Sequence, residues 1–225
     1  MIVKVCGLRD DENIREVVEL GVDWIGFIFY PKSPRMVSMI PTHAGIIPDK
    51  GDLTTTSKTM VKRVGVFVDD MPQNIITRAV NYQLDILQLH GSESATLIRN
   101  LRNTIDPDLR QGIKVMKAIS LPTETTDAFD IEAATRPYLD CVDYFLFDTA
   151  SSTVGGSGRK YNWQLLEAYN GNVPFLLSGG IGPDNVAALK TFHHPQFLGI
   201  DLNSRFESEP GVKDIHKLKT FLDQL

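Results

Sequence analysis

Cysteine is scarce in this chain: two in 225 residues, Cys6 and Cys141. That number builds no disulfide framework, and in an otherwise ordinary composition it points to a reducing compartment, the cytoplasm. Basic residues are also short, 23 Lys and Arg against 28 Asp and Glu, for a net charge of −5. Without a clustered basic stripe there is little to neutralise a phosphate backbone, so no nucleic-acid partner is expected. No uncharged apolar run approaches the roughly 20 residues that span a bilayer, and the N-terminus lacks a basic segment leading into a long apolar stretch. The expectation is a protein neither exported nor membrane-embedded. Metal chemistry lacks its usual marks, since the five histidines include no helical HExxH and His193-His194 read as surface. No linker composition, solenoid-period repeat or low-complexity tail interrupts the chain. One domain over residues 1–225 is therefore expected, with 42% hydrophobic content sufficient for one substantial core.

What the chain does have is alternation. Apolar runs of strand length recur at residues 2–6, 24–30, 64–68, 86–89, 115–119, 144–147, 175–177 and 197–200. Most are near-continuous in Val, Ile, Leu and Phe, as in parallel strands covered on both faces. Helical stripes lie between them: Ile14, Val17 and Val18; Ile75, Ile76, Ala79 and Val80 behind Pro72; Leu97, Ile98 and Leu101 behind Ser92 as N-cap; Leu165, Leu166 and Tyr169 behind Asn162. Pro183 opens a helix with Val186 and Leu189, and a last helix carries Val212, Ile215, Leu218 and Leu222. A short second helix near 42–47 leads into a polar stretch, 48–59, that reads as a mobile surface loop. Eight strands alternating with helices close most naturally into an α/β (β/α)₈ TIM barrel, whose chemistry sits at the C-terminal ends of its strands.

Several residues fall at those ends. Cys6 closes the first run and Asp148 follows the sixth, so one barrel mouth would bring a thiol and a carboxyl group together as an acid/base pair. Arg35, just past the second strand, has a planar fork suited to a ligand carboxylate, and His90 ends the fourth strand as a lining residue. Three loops suit a phosphate: Gly156 and Ser157 within Gly155-Gly156-Ser157-Gly158, Gly179 and Gly180 after Ser178, and Asn203 with Ser204 after the eighth strand. Glycine pairs let backbone N–H groups approach an anion, and a helical turn's unpaired N–H groups attract one. A phosphorylated small molecule is the expected ligand.

The segments Lys4-Val5-Cys6-Gly7-Leu8, Gly26-Phe27-Ile28-Phe29-Tyr30-Pro31-Lys32-Ser33-Pro34-Arg35, Arg63-Val64-Gly65-Val66-Phe67-Val68, Leu87-Gln88-Leu89-His90-Gly91, Phe147-Asp148-Thr149, Gly155-Gly156-Ser157-Gly158 and Leu177-Ser178-Gly179-Gly180 occur in that order. Together they resemble the phosphoribosylanthranilate isomerase family of tryptophan biosynthesis. The resemblance implies an Amadori rearrangement of N-(5-phosphoribosyl)anthranilate to 1-(2-carboxyphenylamino)-1-deoxyribulose 5-phosphate. It makes Cys6 the general base, Asp148 the general acid and Arg35 the holder of the anthranilate carboxylate, with no cofactor or metal. The chain departs from the family after the eighth strand, reading Asn203-Ser204-Arg205 where a glycine is common. Two other readings stand beside it: a phosphosugar aldolase using Lys117, or an epimerase, on the same barrel; and a barrel that binds phosphorylated metabolites without catalysis. A monomer and a homodimer fit the sequence equally.

Overall fold

The computed structural model describes residues 1–37, 47, 48, 50–53, 60–106, 108–122, 129–149 and 163–225. Eight parallel strands form a closed barrel in sequence order: β1 (Ile2–Cys6), β2 (Trp24–Ile28), β3 (Lys62–Phe67), β4 (Ile86–Leu89), β5 (Lys114–Leu121), β6 (Tyr144–Thr149), β7 (Phe175–Ser178) and β8 (Phe197–Leu202), with β8 pairing back to β1. The expected (β/α)₈ architecture is the one found. Two strands match their apolar runs end to end. Others reach further: β5, β6 and β8 continue through Ser120, Asp148 and Asp201 because their polar side chains point into the mouth while the ladder stays paired.

Alternation sorts each strand into two cores. Trp24, Val64, Ile86, Met116, Ala118, Leu146 and Leu176 fill the barrel interior. The intervening residues, among them Val5, Phe27, Phe67, Leu87, Val115, Phe145, Phe147 and Leu177, face the helical layer. Each fully buried Leu, Ile or Phe contributes about 1.5–3 kcal/mol relative to exposure, so a one-residue slip in any strand would expose several such groups at once.

The helices are α1 (Asp11–Glu19), α2 (Pro72–Asn81), α3 (Ala95–Ile105), α4 (Ile131–Thr135), α5 (Val186–Thr191) and α6 (Ile215–Leu222). Asp10, Ser94, Asp130 and Asp214 cap four of them by accepting from the backbone N–H three residues on. Ser94, not Ser92, caps α3. The Ser92 N–H is committed to Asp69 Oδ1 at 2.6 Å, and Glu93 is drawn inward to Lys117, so the helix starts two residues late. On α2 the buried stripe narrows to Ile75 and Ala79, with Val80 exposed. Pro183–Asn185 is a 3₁₀ turn leading into α5, and Trp163–Ala168 is 3₁₀ rather than α-helical. Val212 is not in the last helix: with Lys213 it forms β10, paired antiparallel to β9 (Glu207–Glu209).

The polar stretch is only partly loop-like. Lys50–Asp52 forms a 3₁₀ turn, and Ile47, Pro48 and Leu53 are buried, with the Pro48 carbonyl accepting from buried Arg63 at 2.5 Å. Of the helix expected near 42–47 only Ile47 is described, and it is a bend; residues 42–46, the remainder of 48–59 and the Asn162 cap lie outside the described residues. Among the described residues no helix is long and apolar enough to cross a membrane.

Candidate active site

Cys6 ends β1 on the same face as Ile2 and Lys4, which puts its sulfur inside the mouth; it is 3% exposed. Gly26, its register partner on β2, makes the room, because a Cβ there would come within 2.7 Å of Cys6 Sγ. Asp148, next to last in β6, lies on the face of Tyr144 and Leu146. Both open onto one cavity of about 340 Å³, also lined by Ile28, Gln88, His90, Gly179, Asp201 and Arg205. Thiol and carboxyl group, far apart in the chain, thus share a single compartment.

Each has built-in partners. Below Cys6, Lys4 Nζ donates to Asp201 Oδ2 at 2.9 Å, with the lysine side chain fully buried and the aspartate 5% exposed. Burial pushes the Cys6 thiol up from its ordinary range, while the ammonium groups of Lys4 and Lys213 pull against it. Burial alone would lower Lys4, yet the Asp201 carboxylate and the nearby sulfur leave it raised. Burial raises Asp201 in turn, against the pull of Lys4. Its second oxygen, Oδ1, is buried and finds no hydrogen-bond partner among the described residues.

Phe147 precedes Asp148 in the chain, but its ring faces the helical layer. The actual neighbour of Asp148 is His90, whose Nε2 lies 3.1 Å from Oδ2; His90 Nδ1 lies 3.1 Å from Gln88 Nε2. His90 is therefore more than a wall residue: it links Gln88, deep in the barrel, to the carboxyl group.

At the other side of the mouth, Ser178, Gly179, Gly180, Ser204 and Arg205 line the cavity. Gly179 and Gly180 have φ of 90° and 68°, left-handed values open to glycine at little cost. Ser204–Phe206 forms the expected helical turn after β8. Asn203 lines the cavity but spends its Oδ1 on Lys213 Nζ at 2.9 Å. Arg205, singled out as a departure, sits here with Nη2 3.6 Å from Asp184. Gly156 and Ser157 lie outside the described residues. Arg35 is not among the lining residues; Glu207 holds it beside Gly7 by hydrogen bonds of 2.6–3.0 Å.

Lys117 is turned the other way. Flanked by the inward Met116 and Ala118, it points to the helical layer, where Nζ donates to the carbonyls of Gly91 (2.7 Å), Ala118 (3.0 Å) and Leu89 (3.2 Å) and to Glu93 at 3.3 Å. A Schiff base there would need those bonds broken and the strand reversed. Borohydride treatment in the presence of open-chain ribose 5-phosphate is accordingly expected to leave the mass of the Lys117 peptide unchanged; a reduced sugar adduct on it would reinstate the aldolase reading. Nor do the described residues gather three or more His, Cys, Asp or Glu side chains in a metal-holding group, as the epimerase reading would want.

A family model described as N-(5'-phosphoribosyl)anthranilate (PRA) isomerase matches residues 3–224. The chain belongs to that family. It is 46% identical to the N-(5'-phosphoribosyl)anthranilate isomerase of Parabacteroides distasonis, over 100% of this chain and 93% of that one. With the isomerase of Phocaeicola vulgatus the identity is 42%, over 100% and 98%. The crystal structure of phosphoribosyl anthranilate isomerase from Thermotoga maritima superposes with a TM-score of 0.72 at 30% identity, covering 100% of this chain and 98% of that one. A further isomerase structure, holding reduced 1-(o-carboxyphenylamino)-1-deoxyribulose 5-phosphate, superposes at 0.68 and 28% identity. Membership of the PRA isomerase family joins these relatives to the barrel and to the seven ordered segments from which the likeness was first read.

Proposed function

We infer that this barrel converts N-(5-phosphoribosyl)anthranilate to 1-(2-carboxyphenylamino)-1-deoxyribulose 5-phosphate, with Asp148 giving a proton and Cys6 taking one. The observation that supports the reading most is the shared cavity of those two side chains. Asp148 protonates the furanose ring oxygen, the C1–O bond breaks as the amine lone pair moves in, and a protonated Schiff base results. Cys6, as thiolate, removes the proton from C2; the electron pair neutralises the iminium to give an enolamine. Reprotonation at C1 and loss of the O2 proton give the ketone, so atoms and charge balance without a cofactor. Each positioned proton carrier contributes on the order of 10²–10⁴ in rate.

The surroundings fit these steps. His90 Nε2–H donates to the Asp148 carboxylate when Gln88 Nε2 donates to Nδ1. Turning the Gln88 amide over would pair its buried Oε1 with Nδ1–H and make Nε2 an acceptor for an Asp148 O–H, so one relay serves both protonation states. Asp201 Oδ1 offers an acceptor to a sugar hydroxyl. The phosphate is held by Gly179, Gly180, Ser204 and Arg205, with Gly156 and Ser157 added from the preceding loop, and Arg35 takes the anthranilate carboxylate. Two buried, unpaired cysteines suit a cytoplasmic enzyme. A relative from Thermotoga maritima is described as dimeric; for this chain the sequence fits a monomer and a homodimer equally.

The test is direct. Purified protein given freshly generated phosphoribosylanthranilate should quench its anthranilate-type fluorescence with saturable kinetics and yield the carboxyphenylamino ketose. Binding without loss of fluorescence would favour the non-catalytic barrel.

A further inference from the structure

We propose that Glu207 is a positioning residue that fixes Arg35 for the substrate's carboxylate, with Lys213 holding Glu207 in turn. The proposal rests on the isomerase reading above and says how that site selects its substrate. Arg35 Nε donates to both Glu207 oxygens, at 2.8 and 3.0 Å, and Nη2 donates to Oε2 at 2.6 Å. Glu207 Oε1 also accepts from Lys213 Nζ at 2.7 Å and from the Gly211 N–H at 3.2 Å. The Lys213 backbone is fastened to α1, its N–H donating to Asn13 Oδ1 at 2.7 Å and its carbonyl accepting from Asn13 Nδ2 at 3.0 Å. A continuous set of hydrogen bonds thus runs from the first helix through the β9–β10 ribbon to the guanidinium.

Its seat is next to the thiol. Arg35 lies across Gly7, the residue after Cys6, so closely that a Cβ there would come within 2.8 Å of Arg35 Cδ and 2.7 Å of Asn203 Oδ1. With φ of +80°, Gly7 is left-handed as well. Arg35 therefore has one place to lie, fixed from below by Gly7 and from the side by Glu207.

The guanidinium has two edges. Glu207 takes the Nε–Nη2 edge, leaving the Nη1 end with no hydrogen bond to a described residue, and that end can meet a second carboxylate. Charge agrees with geometry. Arg35 and Lys213 bring two positive charges against the single negative charge of Glu207, and the side chains of Glu207 and Lys213 are 5% and 0% exposed. A ligand carboxylate would balance the surplus. Burial works to raise Glu207, but its bonds to Arg35 and Lys213 prevail and hold it below the usual carboxylate range, so it stays charged and a firm acceptor. Displacement of Glu207 by the ligand is the opposing picture. It would strip Lys213 and the Gly211 N–H of the same partner and leave a buried ammonium poorly paired, a costly exchange.

The experiment compares N-(5-phosphoribosyl)anthranilate with N-(5-phosphoribosyl)aniline, which lacks the carboxylate, in wild type, Glu207→Gln, Arg35→Ala and the double variant. Glu207→Gln should lower the ratio of kcat/KM for the anthranilate over the aniline compound by about 10- to 10²-fold, chiefly through KM of the former. In the Arg35→Ala background it should lower that ratio no further, because the two act as one unit. An equal loss on both substrates, or tighter binding of the anthranilate compound, overturns the proposal. If Arg35→Ala is itself indifferent to the carboxylate, the assignment of Arg35 fails and this one with it. If Arg35→Ala is selective and Glu207→Gln is not, only the role of Glu207 falls. Should Glu207→Gln not accumulate as folded protein by circular dichroism, Glu207→Asp, charged but too short for both bonds, carries the same comparison.

Discussion

Replacing Cys6 by alanine is expected to lower turnover by at least about 10²–10⁴-fold, the contribution of a positioned base, while the reduced ketose phosphate still binds. The sulfur is small and sits at the end of β1, so the fold loses little when it goes; what disappears is the group proposed to accept the proton from C2. Sulfur suits this place because a thiolate is reached at far lower pH than an alkoxide. Burial nevertheless raises the Cys6 thiol, with Lys4 and Lys213 opposing the rise, so at neutral pH the free enzyme holds mostly thiol. The base is the deprotonated form, present above its pKa. It follows that kcat/KM should climb as pH rises past neutrality, and that Cys6→Ser should lose this limb along with its rate. Near-native turnover by Cys6→Ala, or a pH profile unaltered in Cys6→Ser, would remove Cys6 from the base's role.

The residues that set this environment explain what sequence reading reached and what it missed. Apolar runs announce strands well because parallel barrel strands are covered on both sides, and Cys6, Asp148 and His90 were found by standing at the ends of such runs. Lys4, inside the first apolar run, and Asp201, just past the eighth, were given no role in the sequence reading. A charge within an apolar strand was the available signal, and the spacing of two between Lys4 and Cys6 put both on one face. Their pairing across β1 and β8, however, exists only once the barrel closes and Lys4 comes into register with Asp201. A hydrophobic substitute pair can match the stability of such a buried ion pair, but it would not supply a cation to the thiol. Glu207 and Lys213 were harder still. They sit in a two-strand ribbon with no periodic signature, Lys213 in a stretch assigned to the last helix on the strength of Val212, and their meaning comes from contacts with Arg35 and Asn13 far upstream. Lys117 erred in the other direction: inside the fifth run it stood out as a Schiff-base candidate, and side-chain alternation turns it outward.

Asp148→Asn should be as damaging as loss of the thiol, again by about 10²–10⁴-fold or more, and for a reason that can be told apart. Asparagine keeps the shape and can still meet His90 Nε2 through its oxygen or, with the ring in its other tautomer, through its amide. It has no proton to give the ring oxygen. Ring opening then becomes the slow step, ahead of any event at C2. Substrate carrying deuterium at C2 should therefore react with Asp148→Asn at the same residual rate as unlabelled substrate, whereas Cys6→Ala, limited by proton removal from that carbon, should show a full primary isotope effect. The split follows from the proposed separation of duties across the cavity, with the β6 carboxyl opening the ring and the β1 sulfur acting on the chain it releases. Equal isotope effects in the two variants would mean that one group performs both steps, and an Asp148→Asn enzyme of near-native rate would mean that the donor is elsewhere.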